Sequence, residues 1–101
     1  MYYVYILRCE KNFLYTGITT DVERRFKEHC EGRVKGAKYT ASHKPLGVEA
    51  VWEAETKSDA SKLEYRIKQL SKEDKEDLII NGAKEFVLKN GENDILFTKI
   101  L

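Results

Sequence analysis

Two tyrosine-containing tripeptides near the start of the chain are followed by an arginine and a histidine that stand four residues apart. The tripeptides are Tyr-Val-Tyr at residues 3–5 and Tyr-Thr-Gly at residues 15–17, and the later pair is Arg25 and His29. A phenol or an imidazole can orient a water molecule or accept its proton, and a guanidinium can stabilise the charge of a phosphate. If the fold gathers these groups in one cleft, they could hydrolyse a phosphate ester.

Both tripeptides lie in β-prone stretches, which predicts a hairpin. The stretches are rich in Tyr, Val, Ile and Leu and are separated by Glu-Lys-Asn at residues 10–12, where Asn12 tolerates the left-handed conformation of a short turn. Pairing Tyr5 with Gly17 places Tyr5 and Tyr15 on the same face of the sheet. The other face then carries the aliphatic residues Val4, Ile6, Leu14 and Ile18. Gly17 would permit close approach of a backbone or phosphate group, or mark a bulge.

The segment after the hairpin has the pattern of an amphipathic helix. Thr20 as N-cap and Glu23 three residues later form a capping-box pattern. An apolar stripe follows at every fourth residue, at Val22, Phe26 and Cys30. At about 100° per residue, Arg25 and His29 fall beside this stripe, whereas Arg24 points towards solvent.

The rest of the chain predicts a long loop, a third strand and two further helices. Glycines and a proline mark residues 31–47 as the loop, and residues 48–55 alternate as a strand does. The second helix is expected to begin after Ser58, with Glu64 at the margin of an apolar stripe formed by Ala60, Leu63, Ile67 and Leu70. Ser71 caps a third helix that ends at residues 81–82.

These elements predict an α+β fold in which a small three-stranded antiparallel sheet is flanked by helices. The order is β-β-α-β-α-α, followed by a C-terminal tail. Residues 83–89 are expected to be helical, and residues 95–101 are either a terminal strand or a docked apolar tail. With 101 residues, 42% of them hydrophobic, the chain suits one compact core. We therefore expect a principal unit at residues 1–81 and an extension at residues 82–101 that packs on or beside it.

Positive charge is concentrated in one segment although the formal net charge is only +1. Residues 32–47 hold no acidic residue, and their cations are interleaved with an aromatic ring, which suits backbone contact and base stacking. The candidate nucleic-acid-binding residues are Arg33, Lys35, Lys38, Tyr39 and Lys44. An ordinary solvated loop is the alternative.

The composition also bounds the cellular setting. The two cysteines lack the spacing of a zinc site or a disulfide framework. No 18-residue apolar stretch and no signal-peptide pattern is present. We expect a cytoplasmic protein with reduced thiols and no membrane association.

Taken in order, these segments resemble the GIY-YIG nuclease domain, and most closely its small stand-alone branch, the UPF0213 or excinuclease-subunit-C-like proteins. Residues 3–5 stand where the family has GIY, and residues 15–17 stand where it has YIG. Gly-Ile-Thr-Thr-Asp-x-x-Arg-Arg-x-x-x-His follows at residues 17–29, and residues 36–40 and 63–71 also resemble that branch. The resemblance covers roughly residues 2–80. Tyrosine replaces the first glycine of GIY, and threonine replaces the isoleucine of YIG.

The resemblance implies a metal-dependent endonuclease that acts on nucleic acid, with DNA as the expected substrate and DNA repair as the expected setting. Tyr5 and Tyr15 match the two tyrosines of the motif, Arg25 the catalytic arginine, His29 the following helix position and Glu64 the metal-binding glutamate. One divalent cation, Mg or Mn, would complete its oxygen-rich shell with water and phosphate oxygens. The general base stays open between a tyrosine assisted by its partner and one assisted by a metal-bound water. Substrate choice would come from the cleft, the basic loop or a protein partner.

Each of these residues also has an ordinary structural interpretation. The tyrosines could simply pack, Arg25 could pair with Asp21, and Glu64 with Lys68. His29 is either a hydrogen-bonded boundary residue or a catalytic group. The chain could then be a non-catalytic nucleic-acid-binding module or a structural interaction domain. The joint presence of all five candidate side chains favours the nuclease.

Overall fold

The chain forms a five-stranded antiparallel sheet with helices on both faces. The computed structural model describes residues 1–32, 43–82, 85–90 and 93–101. The strands are β1 (Tyr2–Cys9), β2 (Leu14–Thr19), β3 (Pro45–Ala54), β4 (Glu85–Asn90) and β5 (Asn93–Lys99), and the helices are α1 (Val22–Glu31), α2 (Lys57–Gln69) and α3 (Lys72–Asn81). The spatial order of the strands is β2-β1-β3-β5-β4. The α+β class and the antiparallel sheet are confirmed.

The N-terminal hairpin has the predicted register. Tyr5 pairs with Gly17 and Leu7 with Tyr15 across β1 and β2, without a register shift between the two strands. Residues Glu10–Asn12 form a short 3₁₀ turn in which Asn12 has a φ of 64°, the left-handed conformation that asparagine tolerates. The uninterrupted pairing means that Gly17 does not mark a bulge.

The alternation of side chains along these strands separates two apolar clusters, one on each face of the sheet. On one face the predicted aliphatic set packs with α2, and this cluster includes Val4, Ile6, Leu14, Trp52, Leu63 and Ile67. On the other face Tyr5, Leu7 and Cys9 pack with Val51, and α1 contributes Val22 and Phe26. The sheet therefore separates the face that packs against α2 from the face that carries Tyr5, as the two-residue alternation along a strand predicts.

The C-terminal segment differs from the prediction. A helix was expected at residues 83–89, but Glu85–Asn90 is strand β4, which pairs along its whole length with β5. Strand β5 joins the sheet through Trp52↔Lys99 and Glu53↔Thr98. The helical prediction was wrong because a partner strand and an open sheet edge decide the conformation of a short apolar segment more strongly than its local propensity does. The sheet has five strands instead of three for the same reason.

Two helices begin at other residues than expected. Asp21, not Thr20, is the N-cap of α1, and its side chain accepts a hydrogen bond from the backbone N of Arg24. Thr56, not Ser58, is the N-cap of α2. The N-cap predicted for α3 is confirmed, because the Ser71 hydroxyl accepts from the backbone N of Asp74.

An ion-pair network fastens α3 to the sheet. Arg8 of β1 donates to both carboxylate oxygens of Glu76, at 2.6 and 2.5 Å, and its Nε donates to Glu49 of β3 at 3.0 Å. Lys72 also donates to Glu76. In the described part of the chain, no helix is long and apolar enough to cross a membrane.

Candidate active site

Three aromatic side chains from β1, β2 and α1 form the centre of the candidate site. The Tyr5 hydroxyl lies 3.0 Å from Nε2 of His29, and the Tyr5 side chain is 2% exposed. The Tyr15 ring lies 4.8 Å from the His29 ring and 6.4 Å from the Tyr5 ring, measured between centroids. The two predicted tyrosines and the predicted histidine therefore contact one another.

The helical phase of α1 explains why His29 reaches this centre. His29 is 2% exposed, whereas Cys30 is exposed. The expected stripe through Val22, Phe26 and Cys30 was thus wrong at its third position. The hydrogen bond to Tyr5 lets the polar imidazole be buried where a thiol was expected.

Gly17 makes room for the Tyr5 phenol. A Cβ atom at residue 17 would lie 2.5 Å from the Tyr5 hydroxyl oxygen and 2.7 Å from Cζ. No real Cβ contact is that short, so any larger residue would displace the phenol. The group that approaches Gly17 is therefore the tyrosine side chain of the paired strand.

Arg25 lies beside the aromatic centre, and its partners leave part of the guanidinium uncommitted. It is half-buried, and its Nη1 lies 3.6 Å from Oε1 of Glu28, one turn later on α1. The alternative pair with Asp21 does not form, since Asp21 caps the helix. Among the described residues, the buried Nε of Arg25 has no hydrogen-bond acceptor. A buried donor without an acceptor suits an incoming oxyanion.

Glu28 is a member of the site that sequence analysis missed. Its Oε1 is buried and, in the part of the chain that the structure describes, makes no hydrogen bond; it lies 3.6 Å from Nη1 of Arg25. The spacing of three residues between Arg25 and Glu28 on a helix was the available signal.

Glu64 reaches the site from α2. It is half-buried at the margin of that helix, as predicted, and its Oε2 lies 3.4 Å from Nζ of Lys68. Its negative charge raises the pKa of both Tyr5 and Tyr15, so the carboxylate lies within electrostatic range of both phenols. The ion pair with Lys68 is partly exposed and therefore weak, and it uses only one of the two carboxylate oxygens.

Burial sets the protonation states of the three rings. Desolvation raises the pKa of Tyr5 well above its usual value, with Tyr15 adding to the rise and Arg25 opposing it. Burial also raises the pKa of Tyr15, and Glu64 adds to that rise. Burial, followed by the charge of Arg25, lowers the pKa of His29 below 6.5. At neutral pH both phenols are protonated and the imidazole is neutral, and in the tautomer that carries its proton on Nδ1, Nε2 of His29 accepts a hydrogen bond from the Tyr5 hydroxyl.

The donor set fits a hard divalent cation held largely by its substrate. No group of three or more His, Cys, Asp or Glu ligands occurs among the described residues. Glu64 nevertheless offers a carboxylate within electrostatic range of both phenols, and carboxylate oxygens are ligands that Mg²⁺ and Mn²⁺ prefer. Mg²⁺ is commonly bound through one or two carboxylates and completed by water and phosphate oxygens.

The structure thus brings together Tyr5, Tyr15, Arg25, His29 and Glu64, with Gly17 supporting Tyr5. Of the predicted nucleic-acid-binding set, Lys44 is exposed, and its backbone N donates to Glu10 beside the hairpin turn. The other members, Arg33, Lys35, Lys38 and Tyr39, lie outside the described residues.

Comparison with known proteins identifies the family to which the chain belongs. The sequence model of the GIY-YIG catalytic domain matches residues 1–77. The chain therefore belongs to the GIY-YIG family, a family of nucleases whose domain implies a nucleic-acid partner. Within that family its relatives carry the name UPF0213, which states no activity.

Three of these comparisons give the extent of the similarity. A UPF0213 protein of Vibrio cholerae is 52% identical over 86 residues, which are 82% of this chain and 81% of that protein. UPF0213 protein BH0048 of Halalkalibacterium halodurans is 47% identical over 78 residues, or 77% of this chain and 81% of that one. The solution NMR structure of UPF0213 protein BH0048 from Bacillus halodurans matches with a TM-score of 0.51 at 46% identity, covering 82% of this chain and 88% of the other.

Proposed function

We propose that this protein is a divalent-metal-dependent endonuclease that hydrolyses phosphodiester bonds in DNA, either selectively for strand structure or without specificity. The observation that carries the proposal is the convergence of Tyr5, His29 and Arg25, with a buried guanidinium Nε that has no acceptor in the described part of the chain. Packing alone would not require a buried donor to be kept unpaired beside two phenols.

The protein side chains divide the work of hydrolysis. Water must lose a proton as it attacks phosphorus, and the Tyr5 oxygen can accept that proton while its own passes to Nε2 of His29, 3.0 Å away. Arg25 would stabilise the negative charge of the scissile phosphate through its buried Nε, which has no acceptor among the described residues. Glu64 would hold the cation, which supplies Lewis-acid stabilisation of that charge when bound.

This division of roles explains why the phenols can carry raised pKa values. A neutral Tyr5 is the form that can donate to His29 in the resting protein. The positive charge of Arg25 lowers the pKa of Tyr5 and so favours removal of that proton, and a cation held by Glu64 would add to this effect.

Cleavage assays with site variants test the proposal. Duplex, branched, flapped and single-stranded DNA, and matching RNA, are incubated with Mg²⁺ or Mn²⁺ and wild type, Tyr5→Phe, Arg25→Ala or Glu64→Ala. We expect cleavage by wild type and a loss of about 100- to 1,000-fold in rate for Arg25→Ala, the effect typical of removing one electrostatic stabiliser. Tyr65→Phe and Arg66→Ala are matched controls, because both side chains are exposed on α2.

Each outcome is informative. Cleavage that survives all three site changes would come from a contaminating nuclease and would contradict the proposal. Salt-sensitive binding of DNA without cleavage by wild type would instead identify a non-catalytic nucleic-acid-binding module of the same fold. If Tyr65→Phe and Arg66→Ala lowered cleavage as much as the site variants do, the assay would be reporting folding and not catalysis.

A further inference from the structure

A cleft lined by three cations adjoins the aromatic centre of the candidate active site at Arg25. It has a volume of about 340 Å³ and lies where the end of β2 meets the first turn of α1 and the start of α2. Three cations line it, namely Arg24, Arg25 and Lys57, together with Tyr2, Ile18 and two threonines. No acidic residue is among the described residues that line it.

Two of the three cations in this cleft have no carboxylate partner in the part of the chain that the structure describes. Arg24 and Lys57 are both exposed, and in the described ranges neither makes an ion pair or a side-chain hydrogen bond. Arg25 shares its charge with Glu28 at 3.6 Å, a separation longer than a hydrogen bond. Cations of one sign that line a concave surface attract an anion more strongly than the same charges spread over a convex one.

The position of the cleft indicates which anion it would take. Arg25 lines both this cleft and the aromatic centre, so a ligand that occupies both must carry negative charge at more than one point along its length. A nucleic-acid strand has this property, because every linkage carries a phosphate. Tyr2 and Ile18 add half-buried apolar surface that a sugar or base can contact without sequence preference.

We infer that Arg24 and Lys57, which lie beside Arg25 in this cleft, bind a backbone phosphate next to the one that is cleaved, an inference that rests on the proposed function. Arg24 is therefore more than a solvent-facing neighbour of Arg25. Arg25 contacts the reacting phosphate, whereas Arg24 and Lys57 hold the adjoining one and fix the register of the strand. Their contribution is to binding and not to the chemical step.

Salt-dependent binding measures this contribution without any need for cleavage. The probe is a fluorescein-labelled 12-nucleotide single-stranded DNA, and its anisotropy is measured in EDTA between 0.05 and 1 M salt, with wild type, Arg24→Gln, Lys57→Gln and the double variant. Each lost phosphate contact should make the slope of log K against log salt shallower by about 0.7. The ratio of wild-type to variant affinity should therefore be about fivefold larger at 0.1 M salt than at 1 M salt. Lys27→Gln and Lys62→Gln remove the same charge from exposed positions on α1 and α2 and should leave the slope nearly unchanged.

Steady-state cleavage separates this inference from the proposed function. Where wild type cleaves, Arg24→Gln and Lys57→Gln should raise KM with little change in kcat, which is the pattern of lost uniform binding. Suppose that wild type cleaves but the binding slopes of Arg24→Gln and Lys57→Gln equal those of the Lys27→Gln and Lys62→Gln controls. That result would overturn the phosphate subsite and leave the proposed nuclease activity intact. The reverse result, reduced slopes without any cleavage, would support the subsite and reject the nuclease. Absence of both DNA binding and cleavage by wild type would contradict both.

Discussion

At the scale of single residues, the candidate site depends on one close contact between two paired strands. The Tyr5 phenol lies over Gly17 and, from there, reaches His29. The sequence pattern identified both tyrosines, the histidine and the glycine. It did not identify why the glycine is needed, because strand propensity does not reveal which side chain will cross a neighbouring strand.

Gly17→Ala tests that contact. The added methyl group would stand 2.5 Å from the Tyr5 hydroxyl, so the phenol must leave the position from which it contacts His29. We expect cleavage to fall about as far as in Tyr5→Phe, together with a loss of about 1–3 kcal/mol in the free energy of unfolding, as is typical of overpacking. Cleavage rates and urea denaturation give the two values.

Gly47→Ala is the matched control, because a Cβ atom there would have no neighbour within 4 Å. It should leave cleavage unchanged and leave stability unchanged or raised by up to about 1 kcal/mol. Equal losses in the two variants would contradict the steric role of Gly17.

At the scale of the elements, the pairing of strands was easier to predict than the ends of helices. The register of the hairpin follows from a short turn and a two-residue alternation, and both can be read from the sequence. The N-cap of α1 is one residue later than the expected Thr20. The Thr19 hydroxyl hydrogen-bonds to the backbone N and O of Asp21, and this holds Asp21 at the start of the helix. Several hydroxyl and carboxylate side chains in a row compete for one cap, and sequence alone does not rank them.

Asp21→Ala should therefore destabilise α1, whereas Thr20→Ala should not. Asp21 accepts from the backbone N of Arg24 at 3.1 Å, and the loss of such a cap costs about 1 kcal/mol. Thermal or urea unfolding of the two variants measures the difference. Equal stability of Asp21→Ala and wild type would mean that water replaces the cap without cost.

Glu76 should make the attachment of α3 sensitive to acid. Its hydrogen bonds to Arg8, and then to Lys72, lower the pKa of the carboxyl group from 4.5 to about 2. Because the pKa in the folded state is below that in the unfolded chain, the ionised group stabilises the fold above pH 4.5. This stabilisation is lost as the pH falls from 4.5 towards 2.

Glu76→Gln checks that assignment by flattening the pH dependence of unfolding over the same interval. The pair is partly exposed to solvent, so we expect a loss of only about 1 kcal/mol at neutral pH. Glu55→Gln, at an exposed position between β3 and α2, is the control. An unchanged slope between pH 2 and 4.5 in Glu76→Gln would contradict the role of the ion pair.

At the scale of the whole molecule, the C-terminal hairpin adds two strands beyond the region that the family model matches. The match ends at residue 77, yet Phe97 of β5 is fully buried in the same cluster as Trp52 of β3. Sequence analysis left the end of the chain open between a strand and a docked tail, because β5 is specified by the two strands between which it lies and not by its own residues alone. We propose that residues 1–81 and 82–101 form one cooperative unit.

Phe97→Ala tests this unit. Removing a fully buried phenylalanine should lower the free energy of unfolding by about 3–5 kcal/mol. Trp52, the one tryptophan of the chain, is buried where β3 pairs with β5, so its fluorescence reports on this region, while circular dichroism reports on the helices. Ile100→Ala, at an exposed side chain, should change stability by less than about 0.5 kcal/mol. Separate transitions by the two probes in wild type would contradict a single unit.

The phenol that lies over Gly17 also restricts how the family can vary. An alanine at position 17 is excluded by the hydroxyl oxygen and Cζ of Tyr5, and not by the backbone of either strand. Relatives that keep a tyrosine at the position of Tyr5 should therefore keep the glycine. Those in which a smaller side chain replaces that tyrosine are free to accept alanine or serine opposite it, so the two positions should change together in evolution.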